Sequence, residues 1–199
     1  MRLLRAKNHR RMPWKNGAGV TTEIAVFPAN AGLDDFGWRL SMATVPGDGP
    51  FSSFAGVDRT LAVLDGEGIV LSVEGLPEER LTKTSAPLAF AADKSTSAGL
   101  IAGPIIDLNA MTRRGLWTHR MERLVVQGTV AIGEDGGMAI VFCASGSAAI
   151  SDGEESLALS RHDAAIVHTL PLEVRGKAEL YIVRLEKTGL AGDLEPMTA

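Results

Sequence analysis

The sequence of 199 residues holds a single cysteine, Cys143. That scarcity excludes an intrachain disulfide framework and points to a reducing compartment. Cys143 lies in the apolar run Met138 to Ala144, where a thiol reads as a small buried hydrophobe, not a nucleophile. Histidine is equally thin. His9, His119, His162 and His168 are scattered without ligand spacing, so the three or four convergent donors of a zinc or iron site are not supplied. No metal and no other cofactor is expected. No Ser/His/Asp set has a recognisable frame, and Ser41 has no adjacent base. No apolar run approaches the roughly 18 residues of a membrane span, and Met1-Arg-Leu-Leu-Arg-Ala-Lys lacks the apolar core of a secretory signal. The net charge of -4 is small and its signs are interspersed, which leaves no basic footprint for nucleic acid or an anionic membrane. The expectation is a cytoplasmic protein with neither partner.

Helical periodicity is also nearly missing, and what stands in its place is strand. Hydrophobic residues make up 45% and charged residues 22%, enough for a soluble domain with a substantial core. Glycine and proline punctuate roughly every ten residues, as in an antiparallel sandwich or barrel. The alternation predicts strands at Arg2 to Leu4, from the Gly-rich loop Pro13 to Gly19 on to Phe27, and at Phe36 to Val45, Arg59 to Leu64 and Ile69 to Val73. A crossover is expected near Gly99 to Arg114. A second block follows at Met121 to Val126, Met138 to Ala144, Ser147 to Ile150, Ala164 to Val167 and Leu180 to Leu185. Ala144-Ser-Gly-Ser reads as a hairpin turn that echoes Asp65-Gly-Glu-Gly, and Glu186 to Ala199 as a frayed tail.

One stretch organises the rest, Gly49-Pro-Phe-Ser-Ser-Phe-Ala-Gly-Val-Asp-Arg-Thr-Leu-Ala-Val-Leu-Asp-Gly-Glu-Gly68. It runs from a turn through a loop of small residues into a strand, and ends on a Gly-x-Gly hairpin turn. This resembles the first motif of a cupin barrel. In a metal-binding cupin that motif carries two histidines one residue apart and a glutamate seven positions before the turn glycine. Here the histidine slots fall near Ser53 and Ala55, or Ser52 and Phe54, and the glutamate slot is Arg59. A permanent cation stands where an anionic metal ligand would be.

Further motifs occur in order: Pro13-Trp-Lys-Asn-Gly-x-Gly, Thr21-x-Glu, Trp38-Arg-x-Ser-x-Ala, Asp48-Gly-Pro-Phe-Ser-x-Phe, Gly56-x-Asp-Arg59, Phe90-x-x-Asp93 and Asp107-Leu-Asn-x-Met-Thr-Arg-Arg114. Together they resemble the HutD/Ves family of bicupins, specifically over residues 10–115 and beyond that only in strand pattern. The resemblance implies an all-β, metal-free double cupin of two antiparallel halves, 1–114 and 115–199, often as a homodimer. In the HutD branch it implies a regulator of histidine utilisation that senses a pathway metabolite, formylglutamate-like or urocanate-like. In the Ves branch it implies a link to stress. Ala18 departs from a glycine common in the family's loop, and Ala91-Ala92 from its usual small-Gly pair.

The candidate ligand-binding residues follow from which side chains share a face. Arg59 alternates with Leu61 and Val63, so its guanidinium lies beside apolar residues and needs an acceptor. Either an internal carboxylate such as Asp58, Glu23 or Asp93 supplies that acceptor, or a bound anion does. Arg39 and Ser41 share one face of their strand, a donor pair suited to a carboxylate; which face of Trp38 to Ala43 lines a pocket stays open. Trp14, Lys15 and Asn16 precede glycines that could aim N–H groups at an anion, or they close a structural loop around Trp14. Glu23 shares a face with Thr21 and Ala25 and reads as a base, an amine acceptor or Arg59's partner. Asn109, in the expected crossover, offers an amide for a formyl group or caps a turn. Asp93 falls where a second cupin motif would place its histidine. Three functions compete. The first is a binder of a small carboxylate, more a sensor than an enzyme. The second is a metal-independent isomerase or hydrolase with Glu23 or Asp93 as base. The third is an interaction module in which Arg59 is paired internally.

Overall fold

The computed structural model describes residues 1–14, 19–133, 137–168 and 171–188. Among these residues there is no α-helix; sixteen antiparallel strands and one 3-10 turn, Ala6–Asn8, carry the fold. A middle sheet holds, in spatial order, β2 (Arg10–Pro13), β3 (Val20–Phe27), β4 (Trp38–Val45), β11 (Ile105–Arg113), β6 (Val57–Asp65) and β9 (Leu88–Ala91). An outer sheet holds β5 (Gly49–Pro50), β10 (Thr96–Leu100), β7 (Ile69–Val73) and β8 (Glu79–Leu81). The third sheet belongs to the second half. It runs β1 (Arg2–Leu4), β15 (Ala164–Val167), β13 (Met138–Ser151), β16 (Leu172–Lys187), β12 (Trp117–Ile132), with β14 (Ser156–Ser160) paired to β13. The first strand of the chain thus completes the second half's sheet, Arg2 opposite Ile166 and Leu4 opposite Ala164.

The middle sheet is covered on both faces, and that decides its sequence. Side chains alternate across a strand. On β4, Trp38, Leu40 and Met42 enter a core shared with Ile140, Phe142, Tyr181 and Val183 of the second half. Ala43 and Val45 enter a different core, with Leu61 and Val63 of β6 and Ile69, Leu71 and Ala98 of the outer sheet. Both parities of β4, β6 and β11 are therefore buried, which explains why these strands do not read as half-polar. The opposite face of the second-half sheet closes on itself around Val126, Val141, Cys143, Ile150, Leu159, Leu180 and Ile182. That core is apolar throughout, and burial pushes the Cys143 thiol up to about 11, so it stays protonated at neutral pH.

Three expectations are corrected. Gly99 to Arg114 is not a crossover: its C-terminal part is β11, which pairs with β4 and β6 at the centre of the middle sheet. Ala144-Ser-Gly-Ser is not a hairpin turn. β13 runs through it as one strand, with a register shift between Cys143 and Ser145 and Gly146 at a φ of 73°. A glycine at positive φ serves a β-bulge as well as it serves a turn, so the local sequence does not separate them. The strands of the second half are also longer, because β12 and β16 pair residue for residue from Trp117 opposite Lys187 to Ile132 opposite Leu172.

Candidate functional site

The inner face of the first half carries a polar belt that the second half's core lacks. Across the middle sheet, Met111 of β11 lies between Arg39 of β4 and Arg59 of β6, with Phe90 of β9 beyond. One step along, Asn109 lies between Ser41 and Leu61, and Glu23 of β3 lies opposite Ser41. One step further, Asp107 lies between Ala43 and Val63. The row order follows from period-two alternation. Arg39 and Ser41 point into the first half, and Trp38 and Met42 into the junction core. A bulge in β3 between Glu23 and Ala25 turns Ile24 into that junction core and keeps Glu23 on the inner face. Ala25 consequently lies on the other face, not beside Glu23 and Thr21 as alternation alone suggested.

Both arginines are buried, Arg39 to 5% exposure and Arg59 to 7%. Arg39 Nε donates to Glu23 Oε2 at 2.8 Å. Among the described residues Arg59 bonds no carboxylate: its Nε and Nη2 both donate to Asn109 Oδ1, at 2.8 and 2.6 Å. Asn109 Nδ2 donates to Asp107 Oδ1 at 2.7 Å, and the Ala43 backbone N–H donates to the same oxygen at 3.1 Å. The amide cannot turn over, because that would set its NH2 against a guanidinium and its oxygen against a carboxylate. Asn109 is thus a fixed relay within β11: it caps no turn, and its amide is engaged on both sides rather than free for a formyl group. Asp107 Oδ2 is sealed without a partner. The Ser41 hydroxyl and the remaining guanidinium N–H groups take no hydrogen-bond partner among the described residues.

Burial dominates the electrostatics here. It lowers Arg59 to about 10, against the Asp107 carboxylate and with the help of the Arg39 charge, so Arg59 stays a cation at neutral pH. Burial raises Asp107 to about 6, partly offset by Arg59 and by the Asn109 and Ala43 hydrogen bonds. Aromatic faces complete the surroundings. Arg59 lies over Phe51 at 4.6 Å and faces Phe90 at 5.8 Å. Trp14 packs at the edge of the same core, its Nε1 donating to Thr21 Oγ1 at 2.9 Å. A Cβ on Gly19 would meet the Trp14 ring and the Thr44 carbonyl, so that glycine is what lets the indole lie flat against the strand.

One expected member does not assemble as anticipated. Asp93 is on the outer surface, where Arg114 grips it through two bonds of 2.9 Å and also reaches Asp58 at 2.7 Å. It takes no part in the belt, and neither Asp58 nor Asp93 is Arg59's partner. Lys15 and Asn16 lie outside the described residues. Asp107, Phe51 and Phe90 were missed as site residues. The signal for Asp107 was its place two before Asn109 and four before Met111 in a strand-like run, which puts all three on one face. Among the described residues, no group of three or more His, Cys, Asp or Glu could hold a metal ion. His119 is locked between Thr112 Oγ1 at 2.7 Å and Thr60 Oγ1 at 2.9 Å in the junction between halves, and burial lowers it to about 4. Two clefts open elsewhere, one of about 190 Å³ beside His119 and Arg184 and one of about 360 Å³ between Thr129, Ser151 and Glu173. Neither contains a residue of the belt.

Comparison with known proteins bears on these features. The family model described as HutD matches residues 6–182. A 21.2 kDa protein from the hutC 3′ region of Pseudomonas putida is 36% identical over 182 residues, covering 89% of this chain and 94% of its own. Protein Ves of Citrobacter koseri is 38% identical over 148 residues, covering 72% and 74%. The solved structure of HutD from Pseudomonas fluorescens SBW25, in a formate condition, superposes with a TM-score of 0.79 at 35% identity over 94% of this chain and 98% of that one. A cupin 2 conserved barrel domain protein from Leptotrichia buccalis, 10% identical with a TM-score of 0.54 over 89% of this chain and 96% of its own, shares the fold alone.

Proposed function

The chain belongs to the HutD family, and from that premise we propose that it is a metal-free binder of a small carboxylate, acting as a sensor in the control of histidine utilisation. The observation that carries this reading is the pair of buried guanidinium groups on one inner face, flanking Met111, in a half whose counterpart has an apolar interior. An arginine beside apolar neighbours is held there at a cost unless its donors find acceptors. Among the described residues Arg59 finds only a neutral amide oxygen, so its remaining N–H donors and the Ser41 hydroxyl suit an incoming carboxylate. Phe51, Phe90 and Trp14 supply the apolar wall such sites use. Acid–base turnover is less well supported: Glu23 is engaged by Arg39, and Asp93 lies outside the belt.

The test is calorimetric titration of purified protein with formate, urocanate and N-formylglutamate. Wild type is expected to bind at least one of them, and Arg59→Lys, which keeps a charge but loses the planar fork, to bind it tenfold or more weakly. No binding by wild type, or undiminished binding by Arg59→Lys and Arg39→Lys alike, removes the proposal.

A further inference from the structure

We infer that this site takes up one carboxylate together with one proton, and that Asp107 is the residue that receives the proton. The inference rests on the binding reading above and concerns how charge is balanced inside it. Among the described residues, the charged groups on the inner face are Arg39 from β4, Glu23 from β3, Arg59 from β6 and Asp107 from β11. The outer sheet packed against them contributes Ile69, Leu71, Val73, Leu81 and Ala98, none of them titratable. Trp14, Phe51 and Phe90 add no charge.

With both acids ionised, two cations meet two anions and the cluster is neutral. A carboxylate entering beside Arg59 leaves one uncompensated negative charge in a desolvated space, an arrangement proteins avoid by protonating a group. Two acids are available, and their surroundings differ. Glu23 is in direct contact with a guanidinium at 2.8 Å. Asp107 meets Arg59 only through the Asn109 relay, and its two oxygens are unequal: Oδ1 accepts two hydrogen bonds, while Oδ2 accepts none and is sealed from solvent. A proton added to Oδ2 breaks no hydrogen bond, and Oδ1 keeps both of its donors. The same proton removes the anion competing for Arg59, so the guanidinium charge becomes available to the ligand. Burial has already brought Asp107 to about 6, so a second anion nearby has only a short way to move it for protonation at neutral pH. Asp107 is therefore a positioning and charge-balancing residue, not a contact.

The experiment is calorimetric titration of formate and urocanate into wild type and Asp107→Asn between pH 5.5 and 8, in two buffers of different ionisation enthalpy. Wild type is expected to take up close to one proton per bound ligand at pH 7 and to lose affinity nearly tenfold per pH unit above that. Asp107→Asn, its fold checked by urea unfolding, is expected to bind with no proton uptake and a flat affinity across the range. Binding by wild type without buffer-dependent heat overturns the inference while the carboxylate reading stands. Equal proton uptake by the variant does the same. Absence of binding by both proteins at every pH overturns the two together. The proton count on wild type is decisive by itself if the variant does not fold.

Discussion

Substituting Asp107 by Asn should make this protein's stability respond to pH in a direction opposite to intuition. The carboxyl group is fully buried and raised from 3.8 to about 6, chiefly by desolvation. Each pH unit of displacement between folded and unfolded chains is worth about 1.4 kcal/mol. A group whose folded value is raised contributes stability that is fully present below its unfolded value and is lost as pH rises through the folded one. For Asp107 that window runs from about pH 4 to about pH 6, and the loss across it is about 3 kcal/mol. His119 works the other way. Burial lowers it from 6.5 to about 4, so stability is lost as pH falls across nearly the same window, by a similar amount. The two linkages oppose each other, and the wild-type profile between pH 4 and 6.5 should be flatter than either implies. The measurement is urea unfolding of wild type and Asp107→Asn at pH 4, 5, 6 and 7. The free-energy difference, variant minus wild type, should rise by about 3 kcal/mol from the acid end to the neutral end. A difference that stays constant within about 1 kcal/mol, which urea extrapolation can resolve, would refute the assignment of Asp107 as a buried, high-affinity proton site.

His119→Gln can keep a bond to one threonine and removes the titration, so with Asp107 left unopposed its stability should rise as pH falls from 6.5 to 4; unfolding curves that still parallel wild type would count against burial as the cause. Arg114 bridges Asp58 and Asp93 on the surface with all three side chains at least a third exposed, so Arg114→Ala should cost below about 1 kcal/mol and leave carboxylate binding untouched. A large loss of binding in that variant would return Asp93 to the site. Gly146→Ala should destabilise by 2 kcal/mol or more, measured by thermal unfolding, because φ there is 73° and the new methyl would run into the Lys177 carbonyl. A neutral result would mean that the bulge in β13 relaxes easily.

Alternation and turn chemistry are local, and they carried individual strands in both halves. Ile69–Val73 and Ala164–Val167 coincide with the strands read from the sequence, because each is an apolar run bounded by turn-forming or polar residues. The family was legible for a different reason, since several short motifs occur in one order. What failed were statements about which residues meet. Arg59's acid was sought among Asp58, Glu23 and Asp93, all near in sequence or motif, whereas its network runs through Asn109 to Asp107 about fifty residues away. Asn109 was placed in a crossover, as a ligand amide or a turn cap, because a polar amide in the middle of a double-sided core strand has no local signature. Alternation along β3 misplaced Ala25, since one inserted residue shifts every side chain beyond it to the other face.

By itself the chain determined its class: a β protein with no intrachain disulfide and with motifs in the order of its family. Those are properties of composition, spacing and residue identity, and folding does not change them. Only the tertiary structure decided that Arg39 and Arg59 share one interior, that Asn109 is locked between a cation and an acid, and that Asp93 faces solvent. Strand order, register and bulges set those contacts, and they are fixed by the packing of three sheets against one another and not by any stretch of sequence alone.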